Sequence, residues 1–406
     1  MAVNFSYYLP RAALKVFLLM ALAVALLTCC VGGNEAEDKN NREALSASGV
    51  YVGDNKCISC HASYVKDHLE TAHHFTSAWG SDSTIHGSFE AGANSYRYSP
   101  RLTVRMERKG DSLVQTAYLL NEPRESRAMS LVFGSGNKGQ SFAAWRGDRL
   151  FQLPITYFAP AAQWSNSPGF PQKAVFNRPI TARCLECHTT YVKQISAPGV
   201  EPESYDRNSF ILTITCEKCH GPAAAHVAFH EKTPGDTAAY SIVNPALFTR
   251  QQKLDQCGLC HGGTLERRTP PFSFKPGDLL AGHFKMDSLP TNPLAMDVHG
   301  NQMGMMSASK CFTASNMTCN SCHDPHKNER GRLEVFSQRC LSCHGQQHQV
   351  SCKMSASMGA VIRKNCIDCH MPKEVSRSVA VQLQSNDVPT PAMMRSHFVR
   401  RGGSGE

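Results

Sequence analysis

The stretch Cys216-Glu-Lys-Cys-His-Gly-Pro-Ala-Ala-Ala-His-Val-Ala-Phe-His230 places two cysteines and three histidines within fifteen residues. Its first five residues, Cys-x-x-Cys-His, recur along the chain. The pattern stands at Cys57-Cys60-His61, Cys184-Cys187-His188, Cys216-Cys219-His220, Cys257-Cys260-His261, Cys319-Cys322-His323, Cys340-Cys343-His344 and Cys366-Cys369-His370. Seven copies use most of the 18 cysteines in 406 residues. Zinc ribbons and redox dithiols also use Cys-x-x-Cys, but neither requires a histidine directly after the second cysteine.

This spacing is that of covalent c-type haem attachment. Two thioethers hold the edge of the macrocycle to one short turn, and the adjacent histidine then lies under the iron as proximal ligand. Seven motifs therefore predict seven covalently attached c-type haems, with iron held by His61, His188, His220, His261, His323, His344 and His370.

Eleven histidines remain among the 18. If residues 223–229 are helical, six residues advance about 9 Å, so His226 hardly reaches the far face of the ring held by Cys216 and Cys219. It is expected to serve a neighbouring haem as distal ligand. The same reasoning applies to His326 in Cys322-His-Asp-Pro-His326 and to His348 in Cys343-His-Gly-Gln-Gln-His348. His226 and His230 also share the i,i+4 spacing of a zinc chelate, but the nearby haems compete for His226. Of His73 and His74, one is expected to be a ligand and the other a bystander. Met303, Met305 and Met306 read as packing.

The N-terminus carries Arg11 and Lys15 and then an apolar run from Val16 to Thr28. Spanning a bilayer takes about 20 apolar residues, so this run suits a signal-peptide core. Leu26-Leu-Thr-Cys-Cys30 resembles a lipobox, which predicts lipidation of Cys30 and a tether to a membrane surface without a span. Val31 in place of aspartate after that cysteine favours the outer membrane. The expected location is therefore a periplasmic or cell-surface lipoprotein. Outside the cytosol free thiols are unusual, and the two cysteines left over, Cys311 and Cys352, are expected to form a disulfide. The formal charge of +9 does not point to nucleic acid, because the propionates of seven haems offset it and pair with basic side chains.

The expected organisation is a lipoprotein signal peptide at 1–29, a polar disordered tether at 30–49 and a first haem segment at 50–93. A β-rich insertion follows at 94–180, where Leu102-Thr-Val-Arg-Met and Leu113-Val-Gln-Thr-Ala-Tyr flank a turn. Then come a three-haem cluster at 181–263, a connecting segment at 264–310, and a C-terminal three-haem cluster with its tail at 311–406. The predicted fold class is mainly α and irregular, with multihaem cytochrome c clusters and the β-rich insertion. Gly134-Ser-Gly-Asn-Lys-Gly139 matches a dinucleotide fingerprint in spacing only, since no helix is expected to open after it.

With these residues assembled, the chain resembles multihaem cytochromes c of the cytochrome c-552/4 type, in a lipoprotein form. The resemblance rests on "YVGDNKCISCHASY" with the following "AHH", on "LFQLPITYF" leading to "CLECHTT", on "CEKCHGPAAAH", and on "CNSCHDPH", "CIDCHMP" and the late "SHF". It implies largely bis-histidine iron, electron transfer outside the cytoplasm, and distal roles for His74, His226, His299, His326, His348 and His397.

Two histidines on each iron leave no open coordination position, which suits electron transfer and not substrate chemistry. The expected function is single-electron transfer between a membrane donor and an extracytoplasmic acceptor. Redox proteins would be the partners, a quinol-oxidising membrane complex among the candidates. The alternative is a reductase or oxidase of a small nitrogen or sulfur compound, working at one five-coordinate haem. A third reading is a haem-bearing scaffold whose β-rich insertion grips a partner.

Overall fold

The computed structural model describes residues 51–286, 292–345, 352, 354–384 and 386–400. The expected signal peptide, tether and lipidated Cys30 lie outside the described residues, and so does His348.

Helix accounts for 30% and strand for 25%, and this corrects the expectation of a mainly α and irregular chain. The reason lies in what each kind of segment can bury. Residues between the first two motifs build sheets with an apolar core of their own, whereas the motif segments form short helices.

The chain opens with helix α1 (Asp54–His68), which carries the first motif. Strand β1 (Ser77–Trp79) leads into a four-stranded antiparallel meander of β2 (Ser95–Ser99), β3 (Leu102–Lys109), β4 (Ser112–Leu119) and β5 (Glu122–Ala128). β3 and β4 are the two strands expected around the Arg108–Ser112 turn, and Lys109 pairs with Ser112 beside it. A larger sheet follows from β6 (Leu131–Phe133), β7 (Gly139–Arg146), β8 (Arg149–Gln152), β9 (Ile155–Phe158), β10 (Gln163–Asn166) and β11 (Arg178–Pro179). Its order is β1-β6-β7-β8-β11, with β9 joining β7 to β10. The Gly134–Gly139 stretch is the β6–β7 connection, and β7 begins at Gly139 where a dinucleotide site would need a helix.

Alternation along β6 and β7 divides the core in two, because successive side chains of a strand point to opposite faces. Val132, Phe142 and Ala144 join Val104, Met106, Leu113, Leu153, Ile155 and Trp164 in one cluster. Leu131, Phe133 and Ala143 face the other way, against Leu150, Ile180, Leu185, Val192, Tyr205 and Phe210. Leu185 lies inside the second motif, on helix α2 (Ala182–His188). The second cluster is therefore the joint through which the sheet fixes a Cys-x-x-Cys-His segment. Two buried groups, Gln115 and Ile155, lock the meander to the larger sheet. Gln115 Nε2 donates to the Ile155 carbonyl at 2.8 Å, and Ile155 N donates to Gln115 Oε1 at 3.1 Å.

A small ladder of β12 (Thr189–Tyr191) and β13 (Ile211–Leu212) precedes the helices α3 (Cys216–His220), α4 (Ala224–Lys232) and α5 (Arg250–His261). A Thr249–Gln252 capping box starts α5. The two-residue strands β14 (Glu266–Arg267) and β15 (Phe284–Lys285) pair in the connecting segment. Helices α6 (Gln302–Ser307), α7 (Lys310–Thr313), α8 (Leu333–His344), α9 (Ser355–Met358) and α10 (Ile367–His370) follow. The chain then returns as a hairpin of β16 (Lys373–Val381) and β17 (Thr390–Arg395). Val381, Leu383 and Ala392 pack on Phe158, and Asn166 N donates to the Gln382 carbonyl at 3.1 Å. The C-terminal tail thus packs against the sheet. Among the described residues, no helix is long and apolar enough to cross a membrane.

Candidate haem-binding site

Five motifs sit at the C-terminal end of a helix, with His188, His220, His261, His344 and His370 as the last helical residues. Ending the helix there releases the imidazole from the helical stack, so the ring projects away from the two thiols beside it. The first motif differs, because α1 continues past His61 across a break in its helical backbone (φ −116°, ψ 36°). Cys319–Ser321 of the fifth motif form a single 3-10 turn.

All seven motifs line one continuous cavity of about 4640 Å³. Neighbouring motifs approach one another across it. The thiols of Cys57 and Cys216, of Cys187 and Cys260, and of Cys257 and Cys319 lie close enough to shift one another's protonation. Cys322 lies within electrostatic reach of Cys343, and Cys340 within reach of Cys366. Cys219 in turn acts on Cys257. The second motif thus branches off the fourth, and the other six form an unbroken line.

Across the same cavity, motif histidines face histidines from remote segments. His61 and His226 stack with ring centroids 6.5 Å apart and an interplanar angle of 17°. His220 faces His326 at 6.1 Å and 27°, and His323 faces His397 at 6.1 Å and 27°. His73 faces His261 at 6.3 Å and 59°. A metal–imidazole bond is about 2.0–2.1 Å, so two imidazoles on opposite sides of one ion hold their centroids roughly 6–6.5 Å apart. All four pairs have that spacing.

The protonation pattern fits as well. Nδ1 of His188 donates to the Thr76 carbonyl at 3.2 Å, that of His220 to Val243 at 3.0 Å, and that of His370 to Arg400 at 2.7 Å. His261 Nδ1 bonds Gln302 Oε1 at 3.2 Å. On the opposite side, His226 Nδ1 donates to the Tyr240 carbonyl at 2.8 Å and His397 Nδ1 to Arg395 at 3.3 Å. Each bond fixes the tautomer that leaves Nε2 as a lone-pair donor, the arrangement a metal-binding imidazole needs. Burial also pushes His188, His220, His261 and His323 below the usual imidazole range. The same cause brings His73 and His397 down to about 4. Neutral rings with a free Nε2 fit an iron porphyrin held through paired thioethers.

The remaining expected residues are placed as follows. His299 is exposed, its Nδ1 lies 3.3 Å from Ser378 Oγ, and it opposes the charging of both His188 and His261. His74 faces no motif histidine among the described residues; its ring stands 6.2 Å from that of His68. The neighbouring His73, and not the His74 to which the resemblance gave a distal role, stands opposite His261. His230 Nε2 bonds the Ala238 carbonyl at 3.1 Å. The bond expected between Cys311 and Cys352 is not formed, and Cys311 lies instead in the field of Cys343.

Sequence reasoning missed Glu217, inside the third motif. It is 2% exposed, and its carboxylate accepts from Val52 N at 2.9 Å, Gly53 N at 2.8 Å and Ala223 N at 2.9 Å. It thereby ties the start of α1 to the third motif and to the approach of α4. The variable positions of Cys-x-x-Cys carry no spacing signal that could have shown this.

Comparison with known proteins gives first a local family match. A family profile described as cytochrome c554 and c-prime matches residues 166–221, which contain the second and third motifs. Together with the repeated motif, this similarity supports covalent c-type haem. Next comes a particular solved structure, the crystal structure of the outer cell wall cytochrome OcwA. It is similar over 86% of this chain and 79% of that chain, with 16% identity and a TM-score of 0.51. At that identity the likeness is one of fold. No curated protein sequence matches the chain.

Proposed function

We propose that the chain is an exported heptahaem cytochrome that passes single electrons between a membrane donor and an extracytoplasmic acceptor. Its seven haems are attached at the fourteen motif cysteines, and a lipid on Cys30 tethers it to a membrane surface. The observation that carries this reading is the set of four histidine pairs at 6.1–6.5 Å, each joining one motif histidine to a partner from another segment. When bound, haem iron supplies reversible one-electron chemistry. The protein's part is to bind, space and insulate.

With haem bound, His226, His73, His326 and His397 would supply a second imidazole opposite His61, His261, His220 and His323, leaving no open position at those four irons. The line of neighbouring motifs, from Cys57 through Cys216, Cys257, Cys319 and Cys340 to Cys366, gives a continuous series of attachment points. Cationic side chains on the cavity wall, Lys253, Lys310 and Arg330 among them, could pair with propionates. An extracytoplasmic location is supported by the N-terminal segment and by the cell-wall setting in the name of the similar structure. Redox proteins, with a quinol-oxidising membrane complex as the candidate donor, are the proposed partners.

The test is an optical and EPR spectrum of the oxidised protein, repeated after reduction under carbon monoxide. Low-spin signals from the haems, with no response to carbon monoxide, support electron transfer. A high-spin fraction that binds carbon monoxide moves the assignment to a reductase or oxidase.

A further inference from the structure

We propose that Asp54, His68 and His74 form a binding site for one divalent transition-metal ion of the zinc class, separate from the haem iron. One ligand atom from each residue lies within 4.8 Å of the other two. This meeting is not a trivial product of sequence, because Asp54 opens α1 and His68 closes it. A straight helix of 15 residues would hold its ends about 21 Å apart. The break at His61 folds the element back, and His74 rises from the turn that follows.

Two of the three donors are already held by backbone groups. His68 is 7% exposed, and its Nε2 bonds the Ile214 carbonyl at 2.9 Å, which leaves Nδ1 with its lone pair. Metal-binding imidazoles commonly donate their other N–H to a backbone carbonyl in this way. Asp54 Oδ1 accepts from Cys216 N at 3.0 Å, and the carboxylate's bond with the Cys216 thiol is lost once that sulfur is a haem thioether. His74 Nδ1 is buried with no hydrogen-bond partner, an unmet need that a metal or a proton shared across the cluster would satisfy.

Two imidazoles and one carboxylate suit zinc, with a water completing the tetrahedron. Ligand atoms in such a site stand about 3.3 Å apart, so small side-chain rotations close it. Asp54 and His74 do not line the large cavity, and His68 alone reaches its wall. The inference rests on the axial reading in one respect: His73, opposite His261, leaves His74 free. An ion bound here clips both ends of α1 to the segment that carries His73. Through Cys216 N it also reaches the third motif.

The experiment uses the haem-loaded protein, dialysed against EDTA, which leaves covalently held haem in place. Zinc sulfate is titrated by isothermal calorimetry, and retained zinc is counted by elemental analysis after gel filtration. The expected result is one tightly bound zinc per chain. In Asp54→Ala and His74→Ala the affinity falls about tenfold or more, while haem content and low-spin spectrum stay unchanged. Absence of bound zinc in the parent protein overturns the proposal, and so does unchanged affinity in both variants. A haem turning high-spin in His74→Ala overturns it too, by making His74 an axial ligand, and leaves the electron-transfer reading intact. That reading fails separately if His73→Ala, His226→Ala, His326→Ala and His397→Ala all leave every haem low-spin.

Discussion

At the scale of single residues, function rests on imidazoles kept neutral and aimed. Replacing His226, His326 or His397 by alanine should in each case convert one haem from low to high spin, read by EPR of the oxidised protein. His230→Ala should leave the spectrum unchanged, because that ring bonds Ala238 and faces no motif histidine. A second prediction concerns acid. Arg339 Nη1 donates to Glu329 Oε2 at 2.7 Å, and the guanidinium holds this carboxyl below the usual carboxylate range. The folded chain therefore binds that proton less readily than the unfolded chain. The pair's contribution is complete above the ordinary glutamate value of about 4.3 and is lost as pH falls through the depressed one. Glu329→Gln should cost about 1–2 kcal/mol at neutral pH, with the gap to the parent closing in strongly acid solution, as read from denaturation midpoints. The seven motif histidines are legible in the sequence because each directly follows the second cysteine of its motif. Their partners were legible only in part. His226 and His326 stood out by their position after a motif, but nothing local separates His73 from His74; which of them meets His261 is decided by how α1 turns at His61.

At the scale of elements, two buried polar clamps matter most: Gln115 joins the two sheets, and Glu217 joins the first motif segment to the third. Gln115→Leu would leave the Ile155 N–H and carbonyl unpaired inside the core, with Gln115 itself 0% exposed. The expected loss is about 2–4 kcal/mol, measured by chemical denaturation, with haem content unchanged. Glu217→Ala would strand the backbone donors of Val52, Gly53 and Ala223. Its expected mark is faster hydrogen exchange at the start of α1 and the approach to α4, leaving β3 and β4 protected. Strands β3 and β4 were visible as alternating runs around a turn. The hairpin β16–β17 was not, because Lys373-Glu-Val-Ser-Arg-Ser carries no apolar period and its pairing is settled by docking on Phe158. The break in α1 was also invisible, since no glycine or proline marks His61.

At the scale of the whole molecule, the structure is a β framework that presents a string of haem-attachment segments to one cavity. The count of motifs drew the sequence reading toward helix and irregular chain, and the sheets corrected it. Large apolar side chains such as Phe142, Trp164 and Leu150 build a core that owes nothing to haem. The central claim is that all seven motifs hold haem covalently, and mass spectrometry of the purified, acid-denatured protein tests it directly. The account predicts one species heavier than the polypeptide by seven haems, with none extracted into organic solvent. A chain of unmodified mass, with its motif thiols free or releasing zinc on acidification, would contradict it.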